Sequence, residues 1–390
     1  MSASEYDLVV IGGGIHGAGV AQAAAAKGQR ALLLEAREPA AGTSSRSSKL
    51  IHGGLRYLES LHFGLVAESL REREILLGIA PHLVRLVDFH IPVYKETSRK
   101  PWQLQVGLSL YAALGRLRPA TRFDRVQAAD WGDLDGIKTE GLRAVFRYSD
   151  GQTDDAQLVR SVLYSAQELG CEVRHPAELI SATREREGWL LSYRQDSEIH
   201  EVRTLTLVNA AGPWVEHVRR RISPAPSGRS VDLVAGTHLE LSGRVERGIY
   251  YVEAPQDRRA VFVMPWKDRV LLGTTERTHL AEPQEVEPTA KEQDYLLQTY
   301  RHYFSNEPEV LDSWAGLRVL PRAKDAAFHR SRETLLFHDD PHVPRYVGIY
   351  GGKLTGYRAT AERVLDTLSA VLPVRPRLAD TATLRLPEVD

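Results

Sequence analysis

The sequence predicts a mixed α/β (α+β) fold, in which an antiparallel β-sheet domain is inserted into a Rossmann-like domain. Three observations support it. An apolar strand runs directly into the glycine-rich turn Gly12-Gly13-Gly14-Ile15-His16-Gly17. Strand-like apolar runs fill the middle of the chain, and a strand, a glycine pair and a helix follow over 346–371. A nucleotide-binding domain interrupted by a β-rich domain accounts for this order.

The glycine turn is typical of a dinucleotide site. Gly12 permits the tight turn, Gly14 leaves space for a pyrophosphate, and Gly17 lets the following helix pack closely on its strand. The free N–H groups at the start of that helix attract an anion. A second strand, over 30–34, ends at Glu35, where a ribose hydroxyl binds in such folds. The carboxylate of Glu35 would repel the 2′-phosphate of NADP.

Composition narrows the class of protein. The 50 basic and 51 acidic residues nearly cancel, so no overall positive charge indicates a nucleic-acid partner. The single cysteine, Cys171, argues against a disulfide framework and a multi-thiolate metal site, and we expect no metal. No apolar stretch is long enough to span a bilayer, and the first residues lack a signal-peptide pattern. These features predict a cytoplasmic protein.

The pattern of helices and strands divides the 390 residues between two joined domains. The nucleotide-binding domain is expected over 1–90, 141–228 and 321–390, and the substrate domain, with an interfacial helix, over 91–140 and 229–320. Helices are predicted over 18–27, 63–79, 154–169 and 354–371. A hairpin is predicted at Glu187-Gly188.

Three further motifs place small or hydroxyl residues where they can line a cofactor. The hydroxyl-rich loop 43–48 leads into His52-Gly53-Gly54-Leu55-Arg56-Tyr57, and Asn209 to Trp214 follows an apolar strand. Gly351-Gly352-Lys353 opens the predicted last helix, whose N-terminus and lysine can stabilise negative charge. Each motif alone could be an ordinary polar loop or turn. Their occurrence with the dinucleotide turn favours cofactor contact.

These motifs resemble those of the FAD-dependent, aerobic-type glycerol-3-phosphate dehydrogenase family, within the D-amino-acid-oxidase-like flavoproteins. The resemblance runs from Tyr6 to about Val371, and the loop leading into His-Gly-Gly-Leu-Arg-Tyr-Leu is its most specific part. It implies a non-covalent FAD, oxidation of sn-glycerol 3-phosphate to dihydroxyacetone phosphate by hydride transfer to flavin N5, and transfer of the electrons to a quinone. The expected cofactor-binding residues are Gly12, Gly14, Ile15, His16, Gly17, Glu35, Ala36, Thr43, Ser44, Ser45, Ser48, Lys49, Leu50, His52, Gly54, Leu179, Ala210, Ala211, Gly212, Trp214, Gly352, Lys353, Leu354 and Thr355.

The resemblance also implies which side chains contact the substrate. They are Arg56, Tyr57, His238, Arg318, Arg332 and Lys353. A dianionic phosphate suits several fixed cations, and we expect Arg318 and Arg332 to bind it, although a small shift in alignment would exchange Arg332 for Arg330. The expected catalytic residues are His238, Arg56 and Arg318.

His238 is the predicted general base, because an imidazole titrates near neutral pH and a base must reach the reacting hydroxyl. Arg318 or His52 could share this role. Arg56 would stabilise the developing alkoxide or the product carbonyl.

The segment 99–122 carries Trp and Tyr among leucines, with basic residues at both borders. This pattern predicts an interfacial helix and a peripheral contact with the inner face of the cell membrane, with Trp102 and Leu108 towards lipid. The alternative is a helix buried between domains.

The sequence departs from the family in one respect. Members of the family continue into a mostly helical C-terminal cap where this sequence ends, so we expect the cap to be absent. The sequence also lacks the insertion found in relatives that use oxygen, which favours a dehydrogenase. Alternatives are a glycerol-3-phosphate oxidase, a flavoenzyme acting on another small 2-hydroxy or amino acid, and a flavin-bearing binding module. The oligomeric state stays open.

Overall fold

The computed structural model describes residues 5–58, 61–322 and 334–389, with the side chains of Arg56 and Pro321 left out. Within these residues the helices are α1 (Ile15–Ala26), α2 (Phe63–Ile79), α3 (Pro101–Leu114), α4 (Asp155–Glu168), α5 (Val215–Arg220), α6 (Ala290–Tyr303) and α7 (Tyr357–Leu368). The strands are β1 (Tyr6–Ile11), β2 (Ala31–Leu34), β3 (Leu50–Ile51), β4 (Val84–Tyr94), β5 (Phe123–Val126), β6 (Leu142–Thr153), β7 (Glu172–Arg174), β8 (Glu178–Glu185), β9 (Gly188–Gln195), β10 (Glu198–Asn209), β11 (Ile222–Ser223), β12 (Val231–Leu241), β13 (Ile249–Glu253), β14 (Ala260–Trp266), β15 (Arg269–Gly273), β16 (Arg277–His279), β17 (Val310–Pro321), β18 (Leu335–His338) and β19 (Tyr346–Tyr350).

The first sheet has a parallel centre, with α1, α4 and α7 packed on one face. Its strand order is β11-β8-β9-β10-β1-β2-β7, and β19 pairs in parallel with the end of β10. Leu8 and Val10 of β1 face a cluster that includes residues of α1, α4 and α7. Val9 points to the opposite face, where Trp189 of the β8–β9 hairpin packs. Both faces of β1 are therefore covered, which explains its continuous apolar sequence.

The second sheet is mostly antiparallel and carries the other half of the cleft described below. Its order is β16-β12-β15-β14-β13-β4-β6-β3, with β17 paired to β12 and β5 to β6. Helices α2 and α3 pack on one face through Leu70 and Leu108, and α6 packs on the other through Leu296 and Tyr300. The two sheets together confirm the predicted fold class.

Most predicted elements lie where the sequence placed them. Helix α2 has the predicted bounds, and Asp154 caps α4 by accepting a hydrogen bond from the Gln157 N–H at 3.1 Å. Helix α7 begins three residues later than predicted, because Gly351 and Gly352 adopt positive φ and the chain makes a further turn before Tyr357. Strands β4 and β6 pair within the second sheet. The domain boundaries stay a prediction.

Helix α3 has one packed side and one exposed side. Leu108 is 1 % exposed and lies in the core against the second sheet, whereas Trp102 and Val106 are 66 % and 60 % exposed. The expectation that Leu108 faces lipid is therefore wrong, because the exposed side of the helix carries Trp102 and Val106 instead. Among the described residues, no helix combines the length and apolar character needed to cross a bilayer.

The two sides of α3 predict opposite responses to a carboxylate. Leu108→Glu should lower the free energy of unfolding by about 3 kcal/mol or more, since it removes a packed side chain and buries a charge. Trp102→Glu should change it by less than about 0.5 kcal/mol, as exposed substitutions usually do. Urea denaturation followed by circular dichroism measures both. Equal destabilisation by the two substitutions would contradict the packing of α3.

Candidate functional site

A cleft of about 700 Å³ is lined by residues from both sheets and from the segments that connect their strands. It collects most of the residues singled out from the sequence. Those that line it are Gly12, Gly14, Ile15, His16, Glu35, Ala36, Thr43, Ser44, Ser48, Leu50, His52, Gly54, Tyr57, Leu179, Ala210, Ala211, Gly212, Trp214, His238, Arg318, Gly352, Lys353, Leu354 and Thr355.

Three predicted cofactor residues do not line this cleft. Gly17 lies against the preceding turn, where a Cβ atom would come within 1.8 Å of the Gly12 carbonyl oxygen. The ammonium group of Lys49 is turned away from the cleft and donates to Asp155 Oδ1 and to the Ser45 carbonyl. Ser45 also lies outside the lining. These residues support the walls of the cleft.

Two predicted substrate residues fall at the limits of the structure. Arg332 lies outside the described residues. Arg56 is described by its backbone alone, in a short 3₁₀ turn over Leu55–Leu58. Their expected roles in binding and catalysis stay predictions.

The glycine turn forms the end of the cleft bordered by the first sheet. Gly12 has a φ of 110°, and a Cβ atom there would lie 2.7 Å from the Ala210 carbonyl oxygen, so the position requires glycine. Gly14 precedes α1, and a Cβ atom there would lie 3.1 Å from Ser44 Oγ. The Ile15 N–H donates to Ser44 Oγ at 3.0 Å. The hydroxyl loop thus closes directly over the start of α1.

Glu35 is fixed at the edge of this turn. Its Oε2 accepts a hydrogen bond from the Gly13 N–H at 2.6 Å, and its Oε1 accepts from the Arg37 N–H at 2.8 Å. The guanidinium of Arg37 lies 4.9 Å from the centre of the Trp214 ring, across the mouth of the cleft. A carboxylate held at the end of β2 is the acceptor that a ribose hydroxyl needs.

This end of the cleft fits an adenine dinucleotide. Gly12 and Gly14 let the turn lie close against Ala210 and Ser44, and the N-terminus of α1 offers backbone N–H groups to a pyrophosphate. Glu35 supplies the ribose acceptor. The residues present therefore match the group that the sequence predicts.

His238 marks the opposite end of the cleft, on β12. It pairs with Gly273 of β15 on one side and with Trp314 of β17 on the other. A Cβ atom at Gly273 would lie 2.4 Å from His238 Cδ2, so a side chain there would displace the ring. The imidazole stacks on the Trp314 ring, with ring centres 4.2 Å apart, and its Nε2 lies 2.9 Å from Ser48 Oγ.

The surroundings of His238 favour its neutral form. Burial holds the pKa of His238 well below 6.5, and the positive charges of Arg318 and Lys49 lower it further. Its Nδ1 is buried and has no hydrogen-bond partner among the described residues. The site thus holds a neutral imidazole beside a fixed cation.

Arg318 is positioned on the same face of the second sheet as His238. It lies on β17 opposite Val234, and its Nη2 donates to Thr274 Oγ1 at 3.3 Å. Gly236 leaves room for it, because a Cβ atom there would lie 2.9 Å from Arg318 Nη2. A guanidinium and an imidazole therefore face one space.

The turn before α7 brings a second cation to the cleft. Gly352 has a φ of 110°, and a Cβ atom there would clash with His16 Nε2 at 2.1 Å. Burial, with a smaller effect of the nearby Arg363 charge, lowers the pKa of His16 to about 4. Lys353 Nζ lies 3.8 Å from the centre of the Tyr57 ring. Two predicted substrate residues, Lys353 and Tyr57, therefore lie side by side in the cleft lining.

A buried network supports the cleft wall between His52 and Gly54. The His52 N–H donates to Thr355 Oγ1 at 3.1 Å, and the Gly53 N–H donates to the Tyr111 hydroxyl at 3.0 Å. Tyr111 in turn donates to Asp150 Oδ2 at 2.6 Å, and Arg73 pairs with the same carboxylate at 2.7 Å. Helix α3 is therefore bonded directly to this wall.

Several residues in or next to the strands of the second sheet line or support the cleft although no motif in the sequence indicated them. Thr274, Glu276 and Arg259 line it, and Trp314 stacks on His238. The one sequence feature that could have indicated Thr274 and Glu276 is their position directly after the apolar run Val270–Gly273. Side chains at the ends of strands often line binding sites. Trp314 comes next to His238 only through the pairing of β12 with β17.

A family model for FAD-dependent oxidoreductases matches residues 7–364. The chain belongs to the FAD-dependent oxidoreductase family. This oxidoreductase uses FAD as its cofactor, as its resemblance and the dinucleotide cleft predict. The predicted family relationship is confirmed.

Several proteins similar to this FAD-dependent oxidoreductase are named for phosphorylated polyols. Glycerol-3-phosphate dehydrogenase of Pseudomonas aeruginosa is 38 % identical over 375 residues, which cover 94 % of this chain and 72 % of that protein. D-erythritol 1-phosphate dehydrogenase of Brucella abortus is 37 % identical, covering 94 % and 74 %. The glycerol-3-phosphate dehydrogenase of Bacillus halodurans, solved with FAD, superposes with a TM-score of 0.75 at 28 % identity, covering 99 % of this chain and 68 % of that one.

The electrostatic coupling of His238 to Arg318 predicts a pKa change. Arg318→Ala should raise the pKa of His238, because the variant removes a positive charge that opposes protonation of the imidazole. Titration of histidine ring resonances by NMR, in protein with ¹³C-labelled histidine, measures it. Arg269→Ala, which removes an arginine of the same sheet outside the cleft lining, should leave this pKa unchanged. A pKa that stays constant or falls in Arg318→Ala would contradict the coupling.

Proposed function

We propose that this FAD-dependent oxidoreductase oxidises sn-glycerol 3-phosphate to dihydroxyacetone phosphate. The observation that carries the proposal is the placement of Arg318 and His238 on one face of the second sheet, inside the cleft whose other end fits a dinucleotide. An alcohol that carries a phosphate needs a cation for the phosphate and a base for the hydroxyl. Relatives named for glycerol 3-phosphate, at up to 38 % identity, support the assignment.

Arg318 is the phosphate ligand in this proposal. Its guanidinium has several donors in one plane, which match the oxygens of a phosphate two at a time. The hydrogen bond to Thr274 Oγ1 uses Nη2 and orients the group. Arg332 is the further cation that the sequence predicts for this phosphate, and Arg56, Tyr57 and Lys353 complete the proposed substrate contacts.

His238 is the proposed base. Its lowered pKa keeps it neutral, so that Nε2 can accept the hydroxyl proton when the substrate hydroxyl takes the place of Ser48 Oγ at that atom. A bound phosphate dianion would offset the Arg318 charge that lowers this pKa. The substrate would thereby strengthen the base that acts on it.

Bound FAD supplies the acceptor for the hydrogen that leaves carbon. In this proposal the turn 12–14, Ser44 and Glu35 would bind the pyrophosphate and ribose of FAD. The segments 52–54 and 352–355 would bind its flavin ring. With FAD and substrate bound, the other residues that line the cleft would help to exclude water from the reacting groups.

For the electron acceptor we propose a membrane quinone, reached by a peripheral contact through α3. The support is the exposed apolar pair Trp102 and Val106, with exposed Arg116 and Arg118 at the end of the helix. An interfacial helix combines such apolar residues with flanking basic ones. An amphipathic contact would place this enzyme beside a lipid-soluble acceptor.

Anaerobic mixing with sn-glycerol 3-phosphate tests the proposed reaction. The absorbance band of oxidised flavin should bleach, and Arg318→Ala should lower kcat/KM by about 30-fold or more, because losing one partner of a charged contact costs ~2 kcal/mol or more. Arg269→Ala should bleach like the parent. If the parent fails to bleach, the proposed reaction is wrong. If Arg318→Ala and the parent have equal kcat/KM, Arg318 does not bind the phosphate.

Co-sedimentation with anionic liposomes tests the membrane contact. The double variant Trp102→Glu/Val106→Glu should lose binding, because each substitution removes apolar contact area and adds a charge that anionic lipid repels. Leu280→Glu/Val374→Glu changes two other exposed apolar residues and should still sediment. Binding that survives in the first double variant, or is lost equally in both, would exclude α3 as the contact.

A further inference from the structure

Glu276 lies on the cleft side of the chain beyond β15. Residues 274–276 connect β15 to β16, and their contacts show where each side chain points. Thr275 points away from the cleft: its hydroxyl donates to Glu292 Oε1 at 2.7 Å and accepts from the Thr237 N–H at 2.9 Å. Thr274 points to Arg318, and Thr274 and Glu276 both line the cleft.

The carboxylate of Glu276 is only partly used. Its Oε2 accepts a hydrogen bond from Arg259 Nη2 at 2.7 Å, and the side chain is 6 % exposed. Its Oε1 is buried and has no hydrogen-bond partner among the described residues. Buried polar atoms are nearly always hydrogen-bonded, so an acceptor left open beside a binding cleft indicates a ligand that brings a donor.

The chemistry of a carboxylate restricts that ligand. A carboxylate paired with arginine accepts hydrogen bonds and donates none, so it repels phosphate and binds hydroxyl or amine N–H groups. The hydroxyl that is oxidised must reach His238 instead. A hydroxyl elsewhere on the same molecule is the remaining donor on a phosphorylated polyol.

We propose that Glu276 Oε1 accepts a hydrogen bond from a non-reacting hydroxyl of the substrate and so selects polyol phosphates over phosphates of simpler alcohols. This rests on the proposed function, which supplies the phosphate and the reacting hydroxyl. It adds a specificity-determining residue and defines the substrate class by a second hydroxyl. A site built to bond a hydroxyl rejects the analogue lacking it, because the buried acceptor is then left without a partner.

Binding of two product analogues to the oxidised holoenzyme tests the proposal without turnover. Dihydroxyacetone phosphate carries the extra hydroxyl, and hydroxyacetone phosphate is the same molecule without it. Isothermal titration calorimetry should show that the parent binds the first about 10- to 100-fold more tightly, the range expected for a hydrogen bond to a charged group. The same comparison is made with D-erythrulose 1-phosphate and its 4-deoxy counterpart.

Variants of Glu276 separate recognition from folding. Glu276→Ala should reduce the ratio of the two affinities to less than about 3-fold, since the acceptor is gone. Glu276→Gln keeps an acceptor oxygen of the same shape and should retain part of the ratio. Glu240→Ala removes a carboxylate paired with Arg269 at the same distance of 2.7 Å, outside the cleft lining, and should keep the parent's ratio. Bound FAD, measured by its absorbance, shows that each variant is folded.

The outcomes distinguish this proposal from the proposed function. A ratio that falls in Glu276→Ala for either pair supports it, even if sn-glycerol 3-phosphate fails to bleach the flavin. A parent without discrimination in both pairs, or a Glu276→Ala variant that weakens both members of each pair equally, overturns it. Bleaching by sn-glycerol 3-phosphate together with either of these results leaves the reaction standing and removes the role of Glu276.

Discussion

The buried ion pair between Lys49 and Asp155 is the interaction on which the cleft depends. Asp155 begins α4, which packs on the first sheet, and its carboxylate also accepts hydrogen bonds from the Ser47 N–H and hydroxyl. The Lys49 ammonium lies 5.1 Å from the centre of the Trp314 ring, in the second sheet. One pair thus links the hydroxyl loop to both sheets. Removing either partner of such a buried pair typically costs about 3–5 kcal/mol, because the other charge stays buried alone.

The same ion pair also positions the hydroxyl loop against His238. Ser47 and Lys49 are fixed by Asp155, so Ser48 between them is held beside His238. Trp314 contacts Lys49 on one side and stacks on His238. The charge that stabilises the loop therefore also lowers the pKa of His238. Structural and electrostatic roles are combined in one lysine.

The elements that the sequence predicted correctly are those that depend on interactions between residues close together in the chain. The glycine turn, the bounds of α2, the position of α4 and the β8–β9 hairpin each depend on residues a few positions apart. The first end of the cleft follows from them, because the turn, α1 and β2 are consecutive. Most of the predicted lining residues belong to such segments.

Long-range pairing determined what the sequence could not show. The exposed side of α3 depends on which face meets the second sheet, so Leu108 could not be distinguished from Trp102 by composition. The direction of Lys49 depends on Asp155, which is 106 positions away. Trp314 lies on β17 and Glu276 follows β15, and both strands pair with β12 from other parts of the chain. Their residue types alone carried no signal.

The bond between Tyr111 and Gly53 gives α3 a mechanical role. Tyr111 is fully buried, and its hydroxyl joins the Gly53 N–H to Asp150. The helix cannot slide or rotate without breaking hydrogen bonds that water does not replace. Its buried side is therefore hydrogen-bonded to the cleft wall. The exposed residues Trp102 and Val106 are thus carried on a helix whose buried side is anchored to the cleft wall.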